Sequence, residues 1–281
     1  MGVVNAAMFP RPEPPAYSAR EVSHATTADG RRLAYVVARP RRVRGEGAGL
    51  AVLLSHGNAE DLGTVAPATR GLADALGATF LSYDYAGYGS SEGTPSEARA
   101  KVDAETAARI LEAEFPRHAT FVYGRSLGSG PACHLAALAR REGRPYRGVI
   151  LQSPFLSALR VVLPNRLLWA RVPGDMFKNL ELVRELGGCG LGCPVLVVHG
   201  QEDEVIAVAH GRALADAVHP QLRAEPVFVP RAGHNDVELR LHQLGTPLEG
   251  ILREFVDACE PGSAAFPRSA SELCGSSRSM S

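Results

Sequence analysis

The stretch Tyr123-Gly-Arg-Ser-Leu-Gly128 decides the fold, because it joins an apolar run to a run that favours a helix. The apolar run covers 119–123, and the helix-competent run covers 127–140. Between them lies G-x-S-x-G, the pattern of a sharp strand-to-helix turn that lifts its serine above a sheet. Glycines permit such a strained turn, so the pattern predicts an accessible hydroxyl at Ser126. An ordinary glycine-rich turn is the alternative, and the pentapeptide alone does not decide between them.

Apolar runs alternate with helix-forming segments on both sides of this turn. An Asp29-Gly30 turn predicts a β-hairpin within residues 17–40. Further along the chain, a helix is expected to begin directly after Thr94. Thr94 is its expected N-cap, and Glu97 completes a capping box. Buried strands are expected at 50–55, 79–83, 119–123, 148–152, 194–199 and 226–229. This alternation predicts an α/β fold with a doubly wound, mostly parallel sheet.

Composition divides the chain into three parts. Residues 1–16 form a proline-rich N-terminal segment without a packed core of its own. Residues 17–260 form the α/β domain, within which residues 154–192 break the alternation and predict a short helical cap segment. Residues 261–281 are serine-rich and are expected to be disordered.

Charge and hydropathy exclude several classes of function. The 30 basic and 30 acidic side chains cancel, which gives no electrostatic basis for binding nucleic acid. No uninterrupted apolar window approaches the roughly 18 residues of a membrane span. The N-terminus lacks the charged start and long apolar core of a secretory signal. We therefore expect a cytoplasmic protein, not secreted, with at most peripheral membrane contact.

The five cysteines are an odd and sparse set, which indicates free thiols in a reducing compartment. Cys189 and Cys193 lie in a glycine-rich stretch whose spacing alone could suggest a metal. No partner pair of cysteines or histidines accompanies them, so a surface loop is the better interpretation. We expect neither a metal nor an organic cofactor.

Reactive side chains follow the predicted strands where the strands end. Ser126 follows 119–123, Asp203 follows 194–199, and His234 follows 226–229. Chemistry in such sheets lies at the carboxyl ends of the strands, and the order Ser, Asp, His is that of an α/β-hydrolase triad.

The residue types assign the roles. Ser126 would attack an acyl carbonyl, His234 would take and return its proton, and Asp203 would orient the imidazole. The backbone N–H groups of Leu127 and Asn58 would form the oxyanion hole.

Other residues compete for these roles. Glu202 and Glu204 flank Asp203, and Asp175 follows an earlier strand, so each is an alternative acid. Asp236 is expected to cap the final helix. The two remaining strand-end histidines, His56 and His199, are expected to be structural and to bond to loop backbone.

Six segments together resemble one family, the α/β-hydrolase domain 17 group. They are Phe9–Ser18, Ser55–Gly63, Ser82–Gly89, Ser153–Arg160, Gly200–Ile206 and Gly233–Leu239. The similarity spans about residues 9–257. The resemblance implies a palmitoyl-protein thioesterase, which hydrolyses the thioester between palmitate and a protein cysteine. It also implies the same nucleophile, acid and base, Ser126, Asp203 and His234.

The chain departs from the family at two places. Members carry an N-terminal cysteine cluster that is palmitoylated, whereas the first cysteine here is Cys133. Members usually have glutamine before the nucleophile, whereas this chain has Arg125.

The substrates expected are therefore S-acylated proteins or small acyl esters. A soluble carboxylesterase or lipid hydrolase is the first alternative, and a non-catalytic interaction module is the second. Apolar residues within 154–177 could line an acyl groove, or they could simply pack the cap onto the sheet. They are Phe155, Leu156, Leu159, Val161, Val162, Leu163, Leu167, Leu168, Trp169 and Phe177.

Overall fold

A single twisted sheet organises the described part of the chain. The computed structural model describes residues 9–11, 13–43, 49–162, 174–186, 192–260, 263 and 266. The strands are β1 (Ser23–Thr26), β2 (Arg32–Ala38), β3 (Leu50–Ser55), β4 (Ala78–Tyr83), β5 (Ala119–Arg125), β6 (Gly148–Gln152), β7 (Val195–Gly200) and β8 (Val227–Val229). Their order across the sheet is β1-β2-β4-β3-β5-β6-β7-β8. Strands β3 to β8 run parallel, and the β1–β2 hairpin joins β4 antiparallel.

Helices cover both faces of this sheet. They are α1 (Leu62–Leu76), α2 (Glu97–Glu114), α3 (Ser129–Arg141), α4 (Ala158–Val162), α5 (Asn179–Leu186), α6 (Ala209–Ala217), α7 (Val237–Gln243) and α8 (Leu248–Ala258). None of the described helices combines the length and apolarity needed to cross a membrane. The predicted doubly wound, mostly parallel sheet is confirmed.

The continuous apolar runs form central strands because both faces of each strand are covered. All residues of β3 are buried, and successive residues enter opposite cores. Leu53 joins the core made with α2, α3, α5 and α6. Val52 and Leu54 join the core made with α1, α7 and α8. This division explains why β3 carries no alternating polar face.

The start of α2 differs from the sequence prediction. The N-cap is Ser96 rather than Thr94, and its hydroxyl accepts from Arg99 N at 3.3 Å. The carboxylate of Glu97 accepts from Phe177 N at 3.0 Å and pairs with Lys101 at 2.7 Å. These tertiary contacts take the glutamate away from the predicted capping box.

The proline-rich segment packs onto the domain. Phe9 is buried in the core, with its ring 6.2 Å from that of Phe177. Ala16 N donates to Asp61 Oδ2 at 2.6 Å, where Asp61 also caps α1. Residues 1–8 lie outside the described part.

The cap segment and the C-terminal tail are described only in part. Helices α4 and α5 are short and belong to the cap segment. Residues 163–173 and 187–191 lie outside the described residues, and so does the expected disorder of 261–281, apart from Ser263 and Phe266. The Phe266 ring lies edge-on to Phe255.

Gly128 allows the strand-to-helix turn to pack against β3. A Cβ atom there would lie 1.9 Å from the Ser55 carbonyl oxygen and 2.8 Å from that of His56. Because both neighbours are backbone atoms, we expect Gly128→Ala to lower the free energy of unfolding by about 2–4 kcal/mol. Urea denaturation measures this change.

The matched control is Gly250→Ala in α8, where a Cβ would meet no atom within 4 Å. Because alanine favours a helix over glycine, this variant should gain about 0.5–1 kcal/mol. An unchanged urea midpoint for Gly128→Ala would refute the steric account of the turn.

Candidate active site

Ser126 stands at the sharp turn between β5 and α3. A 3₁₀ turn, Ser126–Gly128, joins the two elements, and Ser126 adopts φ +52°. This left-handed conformation is strained for a residue with a side chain. Gly124 permits it, since a Cβ there would lie 2.4 Å from the Gly128 carbonyl oxygen. The sequence pattern therefore produces the strained turn that it predicts.

His234 lies between Ser126 and Asp203. Its Nε2 atom is 3.0 Å from Ser126 Oγ, and its Nδ1 atom is 2.8 Å from Asp203 Oδ2. A carboxylate only accepts, so Nδ1 carries the proton and Nε2 is free to accept from the serine hydroxyl. The structure thus brings together three side chains that lie on the ends of β5, β7 and β8.

Asp203 accepts hydrogen bonds at both of its carboxylate oxygens. Its Oδ1 accepts from Val205 N at 2.9 Å and Ile206 N at 2.7 Å. Burial acts to raise the pKa of Asp203, but the hydrogen bonds from His199, His234 and the Ile206 N–H outweigh it. The pKa of Asp203 is therefore held well below its usual range, and the carboxylate stays charged at neutral pH.

His199 supports Asp203, which the sequence analysis missed. As expected, it bonds to loop backbone, since its Nε2 lies 2.8 Å from the Ile206 carbonyl oxygen. The same Nε2 also lies 3.1 Å from Asp203 Oδ2. Both partners are acceptors, so Nε2 carries the proton. The position of a histidine four residues before the acid was the only available sequence signal.

The competing acids have other contacts. Glu204 Oε2 accepts from the backbone N of His234 at 3.1 Å, whereas Glu202 is exposed. Asp175 Oδ1 accepts from Leu159 N at 3.0 Å in the cap segment. None of these three carboxylates makes a described hydrogen bond to the His234 ring.

Asp236 occupies the N-cap position of α7 but does not cap it, so that prediction was wrong. Its Oδ1 accepts from Gly233 N at 2.6 Å, and its Oδ2 accepts from Arg240 at 3.1 Å. The Asp236 side chain therefore points to the loop that carries His234. Its bond to Gly233 N holds the backbone directly before the histidine.

The predicted oxyanion-hole residues lie on adjacent segments. Leu127 follows Ser126 in the 3₁₀ turn, and Asn58 lies in the loop after β3. Strands β3 and β5 are neighbours in register, with Ser55 opposite Gly124. The Asn58 side chain is held by Tyr88, whose hydroxyl donates to Asn58 Oδ1 at 2.8 Å.

His56 has the structural role that the sequence analysis assigned to it. It is buried, its Nδ1 lies 2.8 Å from the Gly57 carbonyl oxygen, and its ring centroid lies 4.5 Å from that of Tyr85. Tyr85 in turn donates from its hydroxyl to the His56 carbonyl oxygen at 2.6 Å. These contacts hold the His56 ring and its carbonyl oxygen two residues before Asn58.

A cleft of about 610 Å³ runs between α1 and the α7–α8 pair. Its polar lining residues include Glu60, Arg125 and Asn235, which are close in sequence to the predicted site residues. Its walls include Val65, Ala68, Leu72, Leu239 and Leu248. A second cleft of about 540 Å³ lies near the start of β5, at the amino ends of the central strands.

The proposed acyl groove of the cap segment is visible only in part. Phe155 and Phe177 are buried in the core, and the Phe177 ring packs against Gly130 of α3. These two aromatic residues therefore pack the cap onto the domain. The other candidates in 163–173 lie outside the described residues.

Comparison with known proteins identifies relatives over most of the chain. A family model described as serine aminopeptidase, S33, matches residues 48–188. The α/β-hydrolase domain-containing protein aho-3 of Caenorhabditis elegans is 38% identical over 209 residues, which is 73% of this chain and 57% of that protein. The α/β-hydrolase domain-containing protein 17B of Homo sapiens is 37% identical over 209 residues, which is 73% of this chain and 67% of that protein.

Solved structures show the same fold. An esterase from Pyrococcus furiosus superposes with a TM-score of 0.63 at 16% identity, covering 89% of this chain and 98% of that one. This similarity confirms the predicted α/β-hydrolase fold. The sequence relatives are closer, and they decide the family. The chain belongs to the α/β-hydrolase domain 17 group of the serine α/β-hydrolases.

Proposed function

We propose that this protein is a serine acyl hydrolase that uses Ser126 as nucleophile, His234 as general base and Asp203 as orienting acid. The observation that carries the proposal is the continuous hydrogen-bonded line of the three side chains, with steps of 3.0 and 2.8 Å. Each distance lies within the reach that proton transfer requires. A fold kept only for binding would not need this alignment, which favours the enzyme over a non-catalytic module.

Acylation follows from this geometry. Ser126 Oγ attacks the acyl carbon while its proton passes to His234 Nε2. The carbonyl oxygen becomes an oxyanion, which the Leu127 and Asn58 N–H groups would stabilise. Collapse of the tetrahedral intermediate breaks the acyl bond, and the leaving group takes the proton from His234. The acyl group remains on the serine as an ester.

Deacylation repeats the sequence with water as the nucleophile. His234 accepts a proton from the water, hydroxide attacks the acyl ester, and the serine leaves as Oγ and is reprotonated. Asp203 remains ionised throughout and stabilises the imidazolium in both half-reactions. In this proposal the nucleophile, the base, the acid and the oxyanion donors all come from residues of this chain.

The substrate class that we propose is the S-palmitoyl-cysteine thioester of proteins. Its support is the resemblance to the domain 17 group, now accompanied by relatives of that group at 37–38% identity. Acylated proteins reside at membrane surfaces, so the proposal includes peripheral membrane contact in the cytoplasm. Small acyl esters and glycerolipids are the competing substrates that the experiment must separate.

The test compares peptides that carry palmitoyl, octanoyl and acetyl thioesters on the same cysteine, together with a monoacylglycerol. Each buried methylene contributes about 0.8 kcal/mol, so a site built for palmitate should prefer it over acetate at least tenfold in kcat/KM. The readout is release of free thiol from the thioesters and of free fatty acid from the monoacylglycerol, with Ser126→Ala as the blank. A preference for acetyl or for the glycerolipid would reject the palmitoyl-thioesterase assignment while leaving the serine hydrolase intact.

A further inference from the structure

Arg125, the residue before the proposed nucleophile, contacts two loops of the proposed site through one guanidinium group. The side chain is only 17% exposed, and its guanidinium points to two different loops. Nη1 donates to Glu60 Oε1, and Nη2 donates to Asn235 Oδ1 at 3.0 Å. The planar guanidinium carries donors on separate nitrogens, whereas a carboxamide carries both of its donors on one nitrogen.

Both partners adjoin residues of the proposed site. Glu60 Oε2 accepts from Gly57 N at 2.6 Å, and Gly57 directly precedes Asn58. Asn235 directly follows His234. Arg125 itself precedes Ser126, so one hydrogen-bonded bridge connects the segments that carry the oxyanion donor, the nucleophile and the base.

The bridge also balances charge. The Glu60 side chain is 19% exposed, and its carboxylate lies against the backbone of the loop where we place the oxyanion hole. An unpaired carboxylate there would oppose the negative charge that develops on the substrate oxygen. The Arg125 guanidinium neutralises this carboxylate.

We propose that Arg125 is a positioning residue that fixes the Asn58 and His234 loops around Ser126 and neutralises Glu60 beside the oxyanion hole. This inference rests on the proposed acyl-hydrolase function and adds a role that acts through neighbouring residues. The described hydrogen bonds of the Arg125 side chain go to Glu60 and Asn235, and none goes to Ser126 Oγ or to the His234 ring. The effect of Arg125 should therefore appear in kcat, because the oxyanion forms only in the transition state, and much less in KM.

The experiment measures kcat and KM for p-nitrophenyl octanoate in the full chain and in Arg125→Gln, Arg125→Lys, Glu60→Gln and the double variant Arg125→Gln with Glu60→Gln. We expect Arg125→Gln to lose about tenfold or more in kcat with KM changed less than threefold. Arg125→Lys should fall between this variant and the parent, since it keeps the charge but not the fork.

The double variant distinguishes charge balance from simple structural damage. The double variant should have a kcat at least threefold higher than that of Arg125→Gln, because the unpaired negative charge of Glu60 is then absent. Arg41→Gln is the matched control, because the Arg41 side chain in the Arg41–Asp74 ion pair is 90% exposed. This variant should leave kcat unchanged. Thermal melting of every variant reports folding independently.

The outcomes separate the two hypotheses. A parent protein that neither hydrolyses the ester nor reacts with a fluorophosphonate would remove the proposed function itself. An active parent with an Arg125→Gln variant within twofold of its kcat would overturn the positioning role. A double variant as slow as Arg125→Gln, or slower, would overturn the charge-balance argument. If Arg125→Gln fails to fold, Arg125→Met with and without Glu60→Gln provides the same comparison, because methionine also removes the positive charge.

Discussion

Replacing Ser126 with alanine is expected to lower kcat for acyl-ester hydrolysis by about 10⁵–10⁶-fold, because the nucleophile of the acyl-enzyme pathway is lost. The alanine keeps the Cβ and removes only Oγ, whose described contact is with His234 Nε2 at 3.0 Å. We therefore expect the melting temperature to stay close to that of the parent. Hydrolysis of p-nitrophenyl octanoate and circular dichroism measure the two properties.

Ser157→Ala is the matched control for this variant. Ser157 is fully buried, and its Oγ has no hydrogen-bond partner among the described residues. Removing an unpaired hydroxyl should leave both kcat and stability nearly unchanged. Retention of more than about one percent of the activity by Ser126→Ala would show that another group is the nucleophile.

Asp203→Asn should lower kcat by about 10⁴-fold. The carboxylate accepts from two backbone N–H groups on Oδ1 and from the His234 ring on Oδ2. An asparagine side chain has an accepting oxygen and a donating NH2 group, so its NH2 group must face either the two backbone N–H groups or the His234 ring. Facing the histidine, the amide favours the tautomer with the proton on Nε2, which cannot accept from Ser126.

The control variants for this prediction are Glu202→Gln and Glu204→Gln. Glu202 is exposed, so Glu202→Gln should leave kcat unchanged. Glu204 accepts from the His234 backbone N–H, so Glu204→Gln should lower kcat, but by less than Asp203→Asn does. If Glu204→Gln were the more damaging variant and Asp203→Asn kept a tenth of the activity, the acid assignment would move to Glu204.

The Asp203 carboxylate also makes the stability of the protein depend on pH. Its folded pKa is depressed, so its stabilising contribution is present above the unfolded pKa of about 4 and is lost as pH falls through the lower folded value. The difference in free energy of unfolding between the parent and Asp203→Asn should therefore be constant from about pH 8 to pH 5 and narrow below about pH 4. Urea titrations at several pH values measure this difference.

Much of the fold follows from local sequence. The apolar run at β3 had to be buried on both faces, and the structure places Leu53 and Leu54 in opposite cores. The Gly124–Gly128 turn was predictable because only glycine fits the close approaches at its ends. The meeting of Ser126 and His234 followed from the rule that reactive residues collect at the carboxyl ends of parallel strands.

The bridging contacts could not be read from the sequence. Arg125 and Asn235 are 110 residues apart, and their contact depends on the loop conformations at the ends of β5 and β8. The same limitation applies to Asp236, whose position suggested a helix cap but whose oxygen accepts from Gly233 N instead. Local propensity assigned these side chains to their own elements, whereas loop packing directed them to neighbouring segments.

The central claim is that Ser126 is the nucleophile for a long acyl chain, and mapping of a covalent adduct tests it most directly. Hexadecyl fluorophosphonate carries both a serine-reactive phosphorus and a palmitate-length chain. After reaction and digestion with trypsin, fragmentation of the peptide covering 126–140 locates the adduct. The account predicts the adduct on Ser126 and none on the Ser126→Ala protein. An adduct on another residue, or no adduct on the folded parent, would contradict it.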